Sequence, residues 1–279
     1  MKVLITGSSG MVGKNLVEYA SLNQLPHCLI TPTSQQLNLL DSVSVENYLS
    51  VHQPDFIVHA AGIVGGIQAN IDNPIKFLVE NTDMAKNLIL GAKNAGVKSL
   101  LNIGSSCMYP KNAKNPLAES SILAGELEPT NEGYALAKIY AAKLCEYIAN
   151  EDSRYSYKTI IPCNIYGRWD KFDQNSSHMI PAVISKIHAA KLSGQKQVNI
   201  WGNGLARREF MYAADLADLI FRCIGRFDEV PSIMNVGLGR DYSINDYYRV
   251  IAKVVGYDGD FRNDLSKPVG MKQKLVDVE

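Results

Sequence analysis

The apolar pentapeptide Lys2-Val3-Leu4-Ile5-Thr6 runs straight into Gly7-Ser8-Ser9-Gly10-Met11-Val12-Gly13, and from Met11 to about Ala20 apolar residues recur at helical spacing. Strand, glycine turn and helix in that order point to a β-α-β unit, whose second strand returns parallel through a right-handed crossover. The rhythm repeats. Strand-like runs at 28–30, 55–61, 99–104 and 157–162 alternate with amphipathic stretches at 44–51, at 75–95 and from Tyr134 to about 149. The polar Thr31-Pro32-Thr33-Ser34 segment reads as a turn, and Gly96 stands where a helix C-cap is expected. These alternations predict an α/β fold with a doubly wound, mostly parallel Rossmann sheet. After residue 165 the pattern loosens into a polar stretch at 168–177, a helix at 181–192, a strand at 198–201 and a Gly202-Asn203-Gly204 turn. Residues 1–165 are therefore expected to form an NAD(P)-binding domain, and 166–279 a smaller substrate lobe from which part of the chain can return to the main sheet.

The 279 residues suffice for a substantial core, and 28 basic against 28 acidic residues leave no global field for nucleic acid or an anionic membrane. Five cysteines (Cys28, Cys107, Cys145, Cys163, Cys223) with no CxxC spacing favour free thiols over disulfides or a zinc site, so no metal is expected. Met1 leads directly into a strand, and no run of about 18 apolar residues occurs. A soluble, cytoplasmic protein is expected.

The glycines carry a function as well as a turn. Gly7 suits the tight turn, Gly10 a close approach of backbone to ligand and Gly13 close helix–strand packing, with the helix N-terminus facing a pyrophosphate. Asp41 suits either an adenine amino group or a helix cap. The end of the second strand offers neither an acid for a ribose 2′-hydroxyl nor an arginine for a 2′-phosphate. Ser9, Thr33 and Ser34 offer donors there, with Lys14 near in sequence, which tilts the reading to NADP(H) and leaves NAD(H) open.

Tyr134 and Lys138 stand four residues apart and so share one helix face. An ammonium there favours the phenolate, and a serine at a strand end, Ser105 rather than Ser106 in Gly104-Ser105-Ser106-Cys107, orients a carbonyl beside it. Together these are the parts of a carbonyl reductase.

Longer motifs extend that reading. They are Leu37-Asn38-Leu39-Leu40-Asp41, Ala60-Ala61-Gly62-Ile63-Val64-Gly65-Gly66-Ile67, Gly104-Ser105-Ser106-Cys107-Met108-Tyr109-Pro110 and the run from Glu128 to Lys138. Asn175-Ser176-Ser177-His178-Met179-Ile180-Pro181-Ala182, Trp201-Gly202-Asn203-Gly204, Arg207-Arg208-Glu209-Phe210 and a weak Ser266-Lys267-Pro268 follow. Through them the chain resembles the extended short-chain dehydrogenase/reductases, in the branch of the GDP-L-fucose synthases. The resemblance implies a GDP-4-keto-6-deoxy sugar as substrate, inversion at C3 and C5, and NADPH-dependent reduction at C4. By position it implies Cys107 as base and His178 as acid of the epimerisation, with Ser105, Tyr134 and Lys138 performing the reduction. It implies cofactor contacts from Gly7, Ser9, Gly10, Met11, Val12, Ser34, Asp41, Ala60, Ala61, Tyr134, Lys138 and Ile165. Ser105, Ser106, Asn164, Lys186, Trp201 and Arg208 would hold the sugar nucleotide, and a homodimer is expected by the same analogy.

Three departures from that branch stand out. Ser9 and Ser34 replace the arginines that usually meet the 2′-phosphate. The loop Gly167-Arg168-Trp169-Asp170-Lys171-Phe172 differs from the usual pattern, and the chain ends at Glu279 where such proteins run on by a few tens of residues. Three other readings of the same residues are a C4 reductase without epimerisation on a related deoxyheptose or colitose precursor, a nucleotide-sugar epimerase or dehydratase that recycles its nicotinamide, and a non-catalytic NADP-binding regulator.

Overall fold

The computed structural model describes residues 1–173, 177–266 and 270–279. In chain order its first half comprises β1 (Lys2–Thr6), α1 (Met11–Leu22), β2 (Cys28–Ile30), α2 (Ser42–His52), β3 (Phe56–His59), α3 (Ile67–Asp72), α4 (Pro74–Asn94), β4 (Ser99–Ile103), α5 (Glu132–Glu151) and β5 (Ser156–Pro162). The second half comprises β6 (Asn164–Tyr166), α6 (Met179–Ser193), β7 (Gln197–Trp201), β8 (Arg207–Arg208), β9 (Phe210–Tyr212), α7 (Ala213–Gly225), β10 (Ile233–Val236), β11 (Tyr242–Ser243), α8 (Ile244–Val255), β12 (Asp260–Asp264) and β13 (Gln273–Lys274).

The expected doubly wound sheet is present: six strands in the order β10-β5-β4-β3-β1-β2, every neighbouring pair parallel. Its β1 is apolar on both faces because both are covered. Val3, Leu4 and Ile5 are fully buried, each worth roughly 1.5–3 kcal/mol of burial. On one face Leu16 and Ala20 of α1 pack with Leu216, Ile220 and Phe221 of α7. On the other, Val45 and Leu49 of α2 pack with Leu88 and Ile89 of α4, and α5 lies against α4. After β1 the chain turns to β2 on one side, and later to β3 on the other. The carboxyl end of β1 is thus the switch point at which such sheets leave a crevice.

From the second half, β10 joins the main sheet beside β5, with Ile233 opposite Thr159, and α7 covers α1. Residues 179–212 and 242–264 instead build a separate small core from Val183 and Ile187 of α6, Val198 and Ile200 of β7, and Tyr248 and Ile251 of α8. A Ser243–Asp246 capping box starts α8, and Gly256 in the left-handed conformation (φ 72°) ends it. Within this lobe β8 pairs antiparallel with β11 and parallel with β13.

Candidate active site

At the switch point Gly7 takes φ 70°, and a Cβ there would stand 2.7 Å from the Ala61 backbone. A Cβ on Gly13 would stand 2.3 Å from the Gly7 carbonyl oxygen. Both glycines are therefore required by close backbone packing. Gly10 is different: it caps α1 with no side-chain hydrogen bond, so the first N–H groups of α1, at Met11 and Val12, are left for an external acceptor. A tight glycine turn that ends in unsatisfied helix donors fits a dinucleotide pyrophosphate.

Around this cradle, Ser9 and Ser34 are exposed. The third candidate donor has a partner, the Thr33 hydroxyl donating to Gln36 Oε1 (3.1 Å), and Ser8 beside Ser9 donates to the Pro32 carbonyl (3.0 Å). Asp41 caps α2, its carboxylate accepting from the Val43 N–H at 3.0 Å. Lys14 lies 5.0 Å from the centre of the Trp169 ring, Arg168 pairs with Glu18 (2.6 Å), and Asn15 donates to the Arg168 carbonyl (3.0 Å). The divergent loop is thus fastened to α1 by its own unusual residues.

Ala60 and Ala61 leave β3 half-buried, held where the Ala61 N–H donates to the Thr6 hydroxyl (3.3 Å). The next stretch is held by Asn81, a residue that sequence reasoning passed over. Its Oδ1 accepts from the Ile63 N–H (2.8 Å) and its amide donates to the Ile63 and Phe77 carbonyls (3.1 and 2.7 Å). The signal was an asparagine on the face of α4 otherwise lined by Phe77, Ala85 and Leu88. The short helix α3 was missed too; its Asn70 donates to the Gly65 and Gly66 carbonyls, both at 3.0 Å.

The reductive residues converge from two elements. β4 ends at Ile103, and a 3-10 turn over Ser106–Met108 follows, capped by Ser105, whose hydroxyl accepts from the Cys107 N–H at 3.4 Å. Across from it, α5 presents Tyr134 half-buried and Lys138 buried. Ser105 lies close enough to the Tyr134 phenol and to the Cys107 thiol to act on both, favouring the ionised form of each. Burial, and then the neighbouring Cys107, push the Tyr134 phenol well above its usual range, with Ser105 pulling the other way. Lys138 is not among the groups that perturb Tyr134: its ammonium lies 5.7 Å from the tyrosine ring and donates to the Ile103 carbonyl at 2.8 Å. Burial lowers Lys138 to about 8, with Cys107 opposing. The expected lowering of Tyr134 by Lys138 is therefore replaced by a Ser105 effect, because the ammonium is turned to the end of β4. A cavity of about 230 Å³ lined by Asn70, Pro74, Phe77, Thr130, Gly133 and Tyr134 opens beside the tyrosine. A larger one, about 450 Å³, lies along the 110–126 loop and includes none of these reductive residues.

Burial dominates at Cys107 as well and raises its thiol, against Lys274, the Ser105 hydrogen bond and Lys138. Ser106 is buried, and Asn164 at the start of β6 donates to the Glu209 carbonyl (2.8 Å), while Ile165 beside it is half-buried. Lys186 donates to the Asn199 carbonyl (2.9 Å) and lies 5.9 Å from the Trp201 ring, so these two are neighbours. Arg208 stands on β8 opposite Lys274 of β13. Its sequence neighbour Glu209 is fully buried and accepts from the backbone N–H groups of Leu238, Gly239 and Val276. His178 stands at the N-cap position of α6 without a side-chain capping bond; desolvation of the ring lowers its pKa, Asp170 opposing and Lys171 assisting. The charged groups acting on it, Asp170 and Lys171, belong to its own approach loop. Of the motifs, Asn175, Ser176, Lys267 and Pro268 lie outside the described residues.

A glycine cradle at the switch point of a parallel sheet, with serine, tyrosine and lysine converging beside it, defines a nicotinamide-dependent enzyme of the short-chain dehydrogenase/reductase kind. The chain belongs to the NAD dependent epimerase/dehydratase family, whose model matches residues 3–237. It is 59% identical to a GDP-L-colitose synthase of Yersinia pseudotuberculosis, over 99% of this chain and 89% of that one. It is 41% identical to a GDP-L-fucose synthase of Escherichia coli K12, over 99% and 88%. Among solved structures it is similar to a GDP-6-OMe-4-keto-L-xylo-heptose reductase from C. jejuni, with a TM-score of 0.92, 30% identity and coverage of 99% and 89%. A GDP-mannoheptose C4 reductase from Campylobacter jejuni with NADP bound gives a TM-score of 0.87 at 30% identity, over 98% and 89%.

Proposed function

We propose that this chain reduces C4 of a GDP-4-keto-6-deoxy sugar with NADPH and inverts the carbons beside the ketone before doing so. The observation that carries the reading is that Ser105, whose hydroxyl accepts from the Cys107 N–H at 3.4 Å, lies close enough to both the Tyr134 phenol and the Cys107 thiol to act on each. It lets one bound ketone meet a proton donor at its oxygen and a thiol at the neighbouring carbon. The relatives named for GDP-L-colitose and GDP-L-fucose synthesis supply the substrate class, and the NADP-bound reductase of similar fold supports the cofactor.

A ketone acidifies the C–H bonds on either side of it. Cys107 takes such a proton while Ser105 and Tyr134 hold the oxygen as an enolate, and His178 returns a proton on the opposite face. Tyr134 then gives its phenolic proton to the C4 oxygen. Lys138, fixed on the Ile103 carbonyl, places positive charge beside that oxygen. When bound at Gly7–Gly13, with Ser9, Ser34, Asp41, Ala60, Ala61 and Ile165 around it, the dinucleotide supplies the hydride. Lys186, Trp201 and Arg208 take the guanosine diphosphate, the arginine fork suiting a phosphate; Ser106 and Asn164 take the sugar.

Incubation with GDP-4-keto-6-deoxymannose and NADPH in deuterated water tests this. Stoichiometric NADPH loss with deuterium at C3 and C5 of the product is expected. A second reading, C4 reduction alone, is favoured by the heptose reductases of similar fold. It predicts a reduced product without deuterium at those carbons.

The assembly proposed is a homodimer. Ile75 and Val79 of α4, with Leu136, Tyr140 and Tyr147 of α5, leave an exposed apolar face on two adjacent helices, of the kind a partner covers. Light scattering reads the mass directly. A cytoplasmic location is proposed with it, on the grounds of free cysteines and the absence, among described residues, of a helix long and apolar enough to cross a membrane.

A further inference from the structure

The loop after β6 holds a tryptophan in a backbone conformation that its side chain does not favour. Gly167 (φ 157°) turns the chain at the end of that strand, where a Cβ would stand 3.0 Å from the Tyr212 ring. The Asp170 N–H then donates back to the Gly167 carbonyl (3.4 Å) and closes a four-residue turn. Trp169 is the third residue of that turn and sits at φ 69°, in the left-handed region that turns normally give to glycine or asparagine. Its ring is not spent on a core, since Trp169 is 49% exposed. Outliers of this kind persist only where their surroundings hold them, and they gather at sites of function.

What holds this one is the helix that starts at the glycine cradle. Asn15, buried in α1, donates from one amide nitrogen to the Met11 carbonyl (2.8 Å) and to the Arg168 carbonyl (3.0 Å). The backbone of the turn therefore lies against the first turn of α1, beside the residue whose N–H opens the cradle. Further along the same helix, the Arg168 guanidinium meets Glu18 at 2.6 Å. Two cations stand over the tryptophan ring, Lys14 Nζ at 5.0 Å and Arg168 Cζ at 5.2 Å from its centre. A strained, half-exposed aromatic is thus anchored next to the donors that suit a pyrophosphate.

We propose that Trp169 is the lid residue of the dinucleotide site: the Gly167–Asp170 turn, latched to α1 through Asn15, lays its indole across the pyrophosphate side of the cofactor and slows its release. The cations beside the ring match the charge of the group that it covers. The role concerns the cofactor alone and does not depend on which sugar is reduced.

Trp169 and Trp201 are the two tryptophans of the chain, so Trp201→Phe leaves Trp169 as the single indole. Excited at the red edge, where tyrosine does not absorb, its emission is expected to lose much of its quenching by acrylamide when NADP⁺ saturates the site. Separately, NADPH bound to the otherwise native protein is displaced by excess NADP⁺ in a stopped-flow instrument and followed by nicotinamide fluorescence. In Trp169→Gly, whose backbone suits this turn, release should be about fivefold faster or more with the association rate little changed. Trp169→Phe should return most of the wild-type rate. Thermal unfolding of cofactor-free Trp169→Gly near the wild-type temperature separates a lost lid from a lost fold; should that variant unfold early, Trp169→Asn carries the same expectation. Acrylamide quenching that NADP⁺ leaves unchanged, or a wild-type release rate in the folded variant, overturns the proposal.

Discussion

The Lys138 ammonium donates a 2.8 Å hydrogen bond to the Ile103 carbonyl, tying the reductive helix to the last residue of the strand before Ser105. The arrangement fixes a charge at the site at a cost in stability. Lys138 titrates at about 8 in the folded protein against 10.5 when free. Below pH 8 both states hold the proton and the folded state bears the full burial cost; between pH 8 and 10.5 that cost fades. Its upper bound at neutral pH is roughly 3 kcal/mol, less about 1 kcal/mol for the hydrogen bond. Lys138→Met is therefore expected to stabilise the cofactor-free protein by about 1–2 kcal/mol at pH 7 in urea unfolding. The gain should vanish near pH 10.5, and reduction should be lost at any pH. A destabilised variant at pH 7 contradicts this.

Tyr134→Phe removes the proton donor and leaves the ring against Phe77, whose centroid lies 6.2 Å away. Turnover should fall by about 10²–10⁴-fold, the range for loss of a general acid, with the NADPH dissociation constant little changed. Stopped-flow reduction and fluorescence titration check the two halves.

Gly13→Ala would set a methyl group 2.3 Å from the Gly7 carbonyl and 2.5 Å from Ser8 Cα, both backbone atoms. The helix must back away from the turn. A loss of about 1–3 kcal/mol in stability is expected, as for overpacking elsewhere, together with weaker dinucleotide binding. Gly96→Ala, whose Cβ meets nothing within 4 Å, should leave binding intact and be strained only by its φ of 75°.

His59 lies in the core with Nδ1 2.9 Å from the Thr6 hydroxyl, and burial, then Lys138, hold its pKa near 3. Between pH 6.5 and 3 the unfolded chain binds a proton that the folded one refuses, so stability falls as pH falls. At pH 5 this ring alone removes roughly 2 kcal/mol. His59→Gln should flatten the acid limb of a stability–pH curve between pH 7 and 5; an unaltered limb would show that other groups set it.

Much of this architecture was legible because its causes are local. The run from Lys2 to Gly13 states a strand, a turn and a helix within twelve residues, and the apolar runs at 99–104 and 157–162 match β4 and β5 to within about a residue. What escaped depends on distant partners. α3 is only six residues long, and it is held by its Asn70 amide donating to the Gly65 and Gly66 carbonyls rather than by any pattern in the chain. β8 and β13 are two-residue strands that exist because Arg207 and Lys272 meet across 65 positions of chain. The spacing of Tyr134 and Lys138 placed both on one helix face. It could not tell that the ammonium would turn to Ile103, since that choice is set by where β4 ends.

The central claim is that Cys107 acts on carbon while Tyr134 acts on oxygen. Single-turnover reduction of GDP-4-keto-6-deoxymannose in deuterated water, with wild type and Cys107→Ser side by side and the product read by NMR, tests it most directly. Deuterium should enter C3 and C5 with wild type and be absent with Cys107→Ser, in which C4 is still reduced. Equal deuterium in both products would remove Cys107 from the mechanism.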